Sequence, residues 1–223
     1  MLLSRAWYRN RTAYGSSVCE KPQQRQVTWE QAPTVIAEIV AACRSDRCVI
    51  GISGPVGAGK TSLARRLGGT LISTDDYLPD YEQTPPSQRD EPAHADLDTL
   101  ARHLRELREG RPAEIPIWSF HQHRRIGSRT VTPGPLIVCE GIFALCKPIR
   151  EMLDLAVLVD APPETRWQRW EQLETHGARG WGIDVAREHF DSIAEPTFAR
   201  YAEEYRKAAH IIVLNHESRT LGT

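Results

Sequence analysis

Along the chain, short wholly apolar runs alternate with longer stretches in which apolar residues recur every three or four positions. "RCVIGIS" (47–53), "TLIST" (70–74), "PLIVCEGIFAL" (135–145), "LDLAVLVDAP" (153–162) and "HIIVLN" (210–215) are apolar on both faces and predict buried strands. Val35, Ile36, Ile39 and Val40 mark a helix capped by Thr28 and running through Pro33 to about Arg44. Leu97, Leu100, Leu104 and Leu107 mark another, opened by Asp96 and stopped by Gly110 and Pro112. A helix beginning near residue 60 ends at Gly68-Gly69, and further helices are expected over 163–174 and 184–208. "EIPIWSF" (114–120) predicts an irregular strand or a hairpin arm, and the Pro-, Gln- and acid-rich stretch 79–93 predicts a loop. Strands alternating with helices make βαβ units, so the expected fold class is α/β, a three-layer sandwich around a mostly parallel sheet.

No repeat or low-complexity linker interrupts this pattern. The expected organisation is an N-terminal extension over 1–27, one domain over 28–215 with a lid near 163–181, and a tail over 216–223. The 223 residues suffice for one well-buried α/β domain. A formal net charge of −1 with no basic block argues against a nucleic-acid partner. No apolar run approaches the roughly 20 residues of a membrane helix. Five cysteines (Cys19, Cys43, Cys48, Cys139, Cys146) without CxxC spacing suggest reduced thiols and a cytoplasmic setting. Residues 1–19 carry Arg5, Arg9 and Arg11 without an acid, loosely like a transit peptide, although a plain extension is the simpler expectation.

One stretch changes the picture. Gly54-Pro55-Val56-Gly57-Ala58-Gly59-Lys60-Thr61 fits G-x-x-x-x-G-K-[ST] and lies between a predicted buried strand and a predicted helix. Backbone amides of such a loop wrap a polyphosphate, which bare glycines permit, and the following helix N-terminus faces the same anion. The expected fold is therefore that of the P-loop nucleoside triphosphate hydrolases. Residues 54–61 with Ser62 form the ATP-binding segment, Lys60 reaches the β/γ-phosphates, and Thr61 offers a hydroxyl to Mg²⁺.

Strand 70–74 delivers Asp75 and Asp76 at its C-terminal end, the ligand side of a parallel sheet, where a carboxylate can take the proton of an attacking hydroxyl. Glu140 closes another apolar strand, and a carboxylate there implies a metal or a cationic partner. Arg166 and Arg169, three apart on one helix, with Arg179 beyond, are candidates to close over a transferring phosphoryl group. His121 and His123 lack acidic or thiol partners at ligand spacing, so packing or substrate contact is the better reading than a metal pair.

These residues resemble the uridine kinase (uridine–cytidine kinase) family, within the group that includes phosphoribulokinase and bacterial pantothenate kinase. "STDDY" (73–77) resembles its Ser-x-Asp-x-Phe-Tyr segment, and "RDEPAHADLDTLARHLRELREGRPAEIPIWSFHQHRR" (89–125) its Asp-His-Pro segment, leucine-rich helix and Ile-Pro-x-Tyr-Asp-Phe-x-x-His-x-Arg. "IVCEGIFAL" (137–145), "VDAPPETRWQRW" (159–170) and "EPTFARYAEEYRKAAHIIV" (195–213) follow in the family's order. The resemblance implies an ATP- and Mg²⁺-dependent kinase of a small alcohol. It implies Asp75 as the base, Asp90 near a ribose, Trp118 and His123 at the nucleobase, and Tyr77 on the substrate wall. It also places Lys60 and Arg169 in catalysis, Arg166 and Arg179 at the lid and substrate, and Thr61, Glu140 and Asp75 around the metal. Family resemblance further suggests a homo-oligomer.

The departures lie on the acceptor side. Trp118 stands for a tyrosine, Ser119 for an aspartate, Tyr77-Leu78 for Phe-Tyr, and Glu91 for the histidine of Asp-His-Pro. The acceptor therefore stays open between a nucleoside such as uridine or cytidine and a sugar or pantothenate-like alcohol. A nucleotide-dependent regulatory ATPase is the reading from another class.

Overall fold

The structure is a computed structural model and describes residues 24–177 and 179–216. The transit-peptide-like stretch 1–19, Cys19 and all of the tail beyond His216 lie outside the described residues. Six strands form one sheet: β1 (Arg25–Thr28), β2 (Cys48–Ser53), β3 (Thr70–Ser73), and three later ones interleaved between them. Those are β6 (Leu136–Glu140), β7 (Leu155–Asp160) and β8 (Ile211–Leu214), counting the hairpin strands β4 (Ala113–Ser119) and β5 (Arg124–Val131) that stand apart. The order is β1-β8-β7-β2-β6-β3, and every pairing is parallel. β2 is flanked by β6 on one side and β7 on the other, with Ile50 opposite both Val138 and Leu155. The crevice at the C-terminal ends of these strands is where a sheet of this kind binds its ligand.

Alternate side chains of the central strands feed two cores. On one face Ile50, Ile52, Val138, Val157 and Val159 pack with Ile36 and Val40 of α1 (Ala32–Ala42) and Leu63 and Leu67 of α2 (Lys60–Leu67). On the other, Val49, Ile137, Leu158 and Ile212 meet Leu100, Leu104 and Leu107 of α3 (Leu97–Arg108), Ile149 of α4 (Lys147–Arg150) and Tyr205 of α7 (Glu195–Ala208). The three-layer α/β sandwich is thus present. A third, smaller cluster joins Trp167 and Trp170 of α5 (Pro163–Thr175) to Ala186 of α6 (Ile183–His189), Phe190 and Ala194.

Four local readings differ from the sequence pattern. Thr28 ends β1 instead of capping α1, whose N-cap is Gln31; the Thr28 hydroxyl instead accepts a hydrogen bond from the Gln31 amide. Arg25, Gln26 and Val27, read as extension, pair with Ile211, Ile212 and Val213. The single helix expected over 184–208 is α6, a π-turn over Phe190–Ala194, and α7. β5 was unforeseen, because almost all of its residues are exposed and it carries no apolar alternation. Asp96 does cap α3, accepting from the Thr99 amide at 3.3 Å.

Candidate active site

The loop after β2 runs Gly54 to Gly59 and ends on the first turn of α2. Gly57 has φ +74, and a Cβ there would collide with the Arg166 carbonyl, so only glycine lets the loop and α5 approach this closely. Gly59, at φ +102, is the N-cap of α2 and brings no side chain to its amides, which leaves them for an anion. The Lys60 ammonium donates to the Pro55 carbonyl at 2.9 Å and closes the loop. Burial pushes its pKa below the ordinary lysine value, opposed by the negative charges of Glu140 and Asp75.

Glu140, almost fully buried at the end of β6, accepts from the Thr61 hydroxyl at 3.1 Å. Burial raises its pKa and the nearby Asp75 charge raises it further, against Lys60 and the Thr61 and Ser73 hydroxyls. Asp75 follows β3, its turn started by the Ser73 hydroxyl accepting the Asp75 amide. Burial raises the Asp75 pKa too, while Arg179 and Lys60 pull it down. Two carboxylates and a hydroxyl converging beside one ammonium form an oxygen donor set that suits a hard divalent cation. The residues present therefore fit Mg²⁺, and the glycine cradle fits a phosphate chain.

These groups open into a cleft of about 320 Å³, lined among others by Lys60, Thr61, Asp75, Asp90, Glu140 and Arg169. Its far wall is aromatic. Tyr81 stacks on His123 with ring centroids 5.5 Å apart and meets the Trp118 ring edge-on at 4.9 Å. Trp118 lies edge-on to Phe120 at 5.1 Å, and the Trp181 indole donates to His123 Nε2. His123 is the one non-glycine residue with positive φ among the described residues, at +50. Burial, Arg89 and His121 all push its pKa below the ordinary value, against the charge of Glu174. The Arg179 guanidinium sits over Phe120 at 4.5 Å and over Trp170 at 5.4 Å. Asp90 accepts from His189 Nε2 at 3.2 Å, linking the loop before α3 to α6.

Lys60, Thr61, Asp75, Asp90, Trp118, His123, Glu140, Arg169 and Arg179 thus meet around one cleft. Two others do not. Tyr77 is fully buried among Leu97, Leu100 and Leu104, its hydroxyl 2.8 Å from His103 Nδ1. The single 3₁₀ turn over Thr74–Tyr77 turns that side chain into the core while Asp75 faces the cleft. Tyr77 is therefore a core residue and not substrate wall. Arg166 lies beneath the phosphate loop, paired through both terminal nitrogens with Glu195 and donating to the Ala161 and Val56 carbonyls. It holds the loop from behind and does not reach the cleft. Arg169, one turn further on the cleft side, donates to the Gly57 carbonyl at 3.1 Å and to the Asn215 side chain at 3.2 Å.

Sequence reasoning passed over Tyr81, Phe120, His189, Glu174 and Asn215. Glu174 is buried and accepts from the Trp170 indole and from the Trp181 and Gly182 amides, fixing the turn that carries Arg179 and Trp181. Asn215 donates to the Ala58 carbonyl at 2.7 Å. Its position directly after the last apolar run was the available signal for a strand-end contact. The aromatic residues carried no signal beyond their type. Asp76, the neighbour of Asp75, accepts from the Trp118 amide and pairs with Arg129, a structural role.

Comparison with known proteins now adds a family. Residues 82–221 match the profile described as the Phosphoribulokinase / Uridine kinase family. A uridine kinase from Shewanella amazonensis is 31% identical over 188 residues, covering 76% of this chain and 88% of that protein. An inorganic pyrophosphatase from Arabidopsis thaliana is 38% identical over 118 residues, half of this chain but only 17% of that protein. Among solved structures, a possible uridine kinase from Bacillus stearothermophilus superposes with a TM-score of 0.63 at 19% identity, covering 82% of this chain and 98% of that one. Among the described residues no helix is long and apolar enough to cross a membrane.

Proposed function

The chain belongs to the phosphoribulokinase and uridine kinase family and is a small-molecule kinase of P-loop fold, and from that premise we propose that it transfers the γ-phosphoryl group of ATP to a hydroxyl of a nucleoside such as uridine or cytidine. The observation that carries the proposal is the placement of Asp75 in one cleft with Lys60 and Thr61 on the phosphate side and an aromatic wall on the other. An aromatic wall takes a planar base by stacking, and Asp90 beside it suits a ribose hydroxyl.

In this reading the loop amides and the N-terminus of α2 hold the phosphate chain, and the Lys60 ammonium lies against its outer oxygens. Thr61 and Glu140 would hold Mg²⁺, which when bound neutralises charge on the phosphate oxygens. Asp75 orients the acceptor hydroxyl and takes its proton. Arg179, seated on Phe120 and Trp170 beside Asp75, adds positive charge on the acceptor side of the cleft. Trp170, Trp181 and Phe190 pack the segment after α5 over the cleft and keep water away from the transferring group.

A panel of nucleosides, sugars and pantothenate-like alcohols, scored by ADP release, tests the proposal. Uridine or cytidine is expected to stimulate ADP release above the rate with ATP alone. Stimulation by a sugar and by no nucleoside would transfer the same chemistry to a different acceptor. Absence of stimulation by every acceptor, with ATP still bound, would favour a regulatory ATPase. The pyrophosphatase likeness spans too little of that protein to support a hydrolytic reading.

A further inference from the structure

Far from the cleft, at the opposite end of β2, two cysteines meet. Cys43 directly follows α1 in an extended conformation, and Cys48 opens β2 after the turn over residues 44–47. Their sulfurs and a carboxylate oxygen of Asp154 all lie within 4.8 Å of one another. Cys48 is buried, whereas Cys43 is only partly so and lies 3.0 Å from the Ser45 hydroxyl. Neither sulfur contributes to the chemistry above.

A metal is the first alternative, and the third ligand argues against it. Asp154 already accepts the Val49 amide at 2.8 Å and pairs with Arg108 of α3 through the same oxygen, Oδ2, so its charge is neutralised and that oxygen is engaged. Two sulfurs without further thiol or imidazole partners fall short of a closed zinc site. What remains is a partly accessible thiol backed by a buried one within reach.

We propose that Cys43 and Cys48 are an oxidisable dithiol, in which Cys43 attacks a small-molecule disulfide and Cys48 resolves the adduct. The Cys43 thiolate attacks one sulfur of RSSR, forming Cys43–S–SR and releasing RS⁻. Cys48 then gives up its proton to solvent and attacks the Cys43 sulfur, releasing the second RS⁻. Two electrons pass from the pair to RSSR, leaving one protein disulfide and two thiols once the RS⁻ ions are protonated. Closing to a bonded distance of about 2.05 Å takes a shift of the Cys43 side chain, which lies beyond the helix end.

The local charges favour this order of attack. Cys43 faces Cys48, the Ser45 hydroxyl and the Asp154 carboxylate, with Arg108 behind the latter; Arg44, Asp46 and Arg47 occupy the connecting turn. The Cys48 thiol donates to the Cys43 sulfur and, with the hydroxyl and amide of Ser45, lowers its pKa to about 6 against burial and Asp154. The same hydrogen bond, with burial, pushes Cys48 up, so it stays protonated until exchange brings it into play. Above pH 6 Cys43 is mainly thiolate, and its reactivity should rise through that pH and level off near neutrality.

The full chain treated with oxidised glutathione, then digested for peptide mass spectrometry, decides the matter. The wild type should lose two alkylatable thiols, yield a Cys43–Cys48 linked peptide and retain no glutathione. Cys48→Ser should retain one glutathione on Cys43, and both reduced proteins should turn over within about twofold of each other. In the absence of oxidant, iodoacetamide labelling of Cys43 should show a midpoint near pH 6. Glutathione retained on wild-type Cys43, or a midpoint near the ordinary thiol value of about 8.5, would overturn the proposal. So would protection of both sulfurs by added Zn²⁺ that a chelator reverses.

Discussion

In the proposed reading one continuous stretch, Gly54 to Thr61, forms the phosphate side of the cleft, and it does so largely with backbone. The wall opposite draws Asp75 from the end of β3, Tyr81 and Asp90 from a loop, Trp118 and His123 from the hairpin, and Arg179 and Trp181 from the turn after α5. Backbone amides presented by a strand–loop–helix unit recognise any polyphosphate, so one local motif suffices. A wall of side chains recognises a particular acceptor, and each can change without unfolding the frame. Of the changed residues, Trp118 and Leu78 line this second side, whereas Ser119 and Glu91 lie outside the cleft lining. Glu91 has a new task, pairing with Arg200 and accepting from the Tyr201 hydroxyl of α7.

The most direct way to break this comparison is to remove one group from each side. Asp75→Asn should lower acceptor phosphorylation by about 10³-fold while leaving the ATP dissociation constant within a few fold, as read by ADP release and by nucleotide titration. Gly57→Ala should act in the opposite sense. Its Cβ meets the Arg166 carbonyl at a backbone angle that only glycine holds easily, so nucleotide affinity should fall by at least about tenfold, with acceptor KM little changed. If Asp75→Asn weakened nucleotide binding as much as turnover, the division into two sides would be wrong.

Next in size is Arg166→Met. Arg166 is buried against Glu195 and the Val56 carbonyl, so truncation leaves Glu195 without its guanidinium and the loop without its rear support. A loss of about 3 kcal/mol in urea unfolding is expected, with nucleotide affinity reduced only through the loosened loop. A turnover defect without loss of stability would return Arg166 to the cleft.

Legibility followed the same division. The buried strands and the phosphate loop were readable because each is specified by contiguous residues: apolar runs such as "VIGIS", then glycines, then Lys60 and Thr61. Asp75 and Glu140 were readable because a strand end on the ligand side of a parallel sheet fixes where a side chain arrives. The aromatic wall was not readable as a unit, since Tyr81, Trp118 and Trp181 come from three segments joined only by tertiary packing. Tyr77 and Arg166 were misread for a narrower reason. Two positions along a 3₁₀ turn, or three along a helix, separate a side chain in the cleft from one in the core. Sequence spacing places both on the right element without fixing which way each points. β5 was missed because an exposed strand needs no apolar residues.

Tyr77→Phe sharpens that correction with a smaller effect. It deletes the hydroxyl next to His103 Nδ1 and leaves the ring in place. Stability should drop by about 1–2 kcal/mol, because a buried imidazole nitrogen loses its partner, and KM for the acceptor should not move. A change of KM without a change of stability would put the phenol back on the substrate wall.

Trp118→Tyr carries the smallest expected effect and asks the most specific question. The Trp118 indole N–H is already donated to the Pro79 carbonyl at 3.3 Å, and its ring is held between Tyr81 and Phe120. In its present form the residue offers the acceptor an apolar surface and no free polar group. A tyrosine of similar plane keeps that surface, gives up the bond to Pro79 and supplies a hydroxyl that can donate or accept. If the acceptor is a nucleoside with a polar base edge nearby, its KM should fall by about threefold with kcat unchanged, a gain near the lower end for one hydrogen bond. If KM instead rises for nucleosides and falls for none, the indole surface itself selects the acceptor, and the departure at residue 118 marks a different substrate.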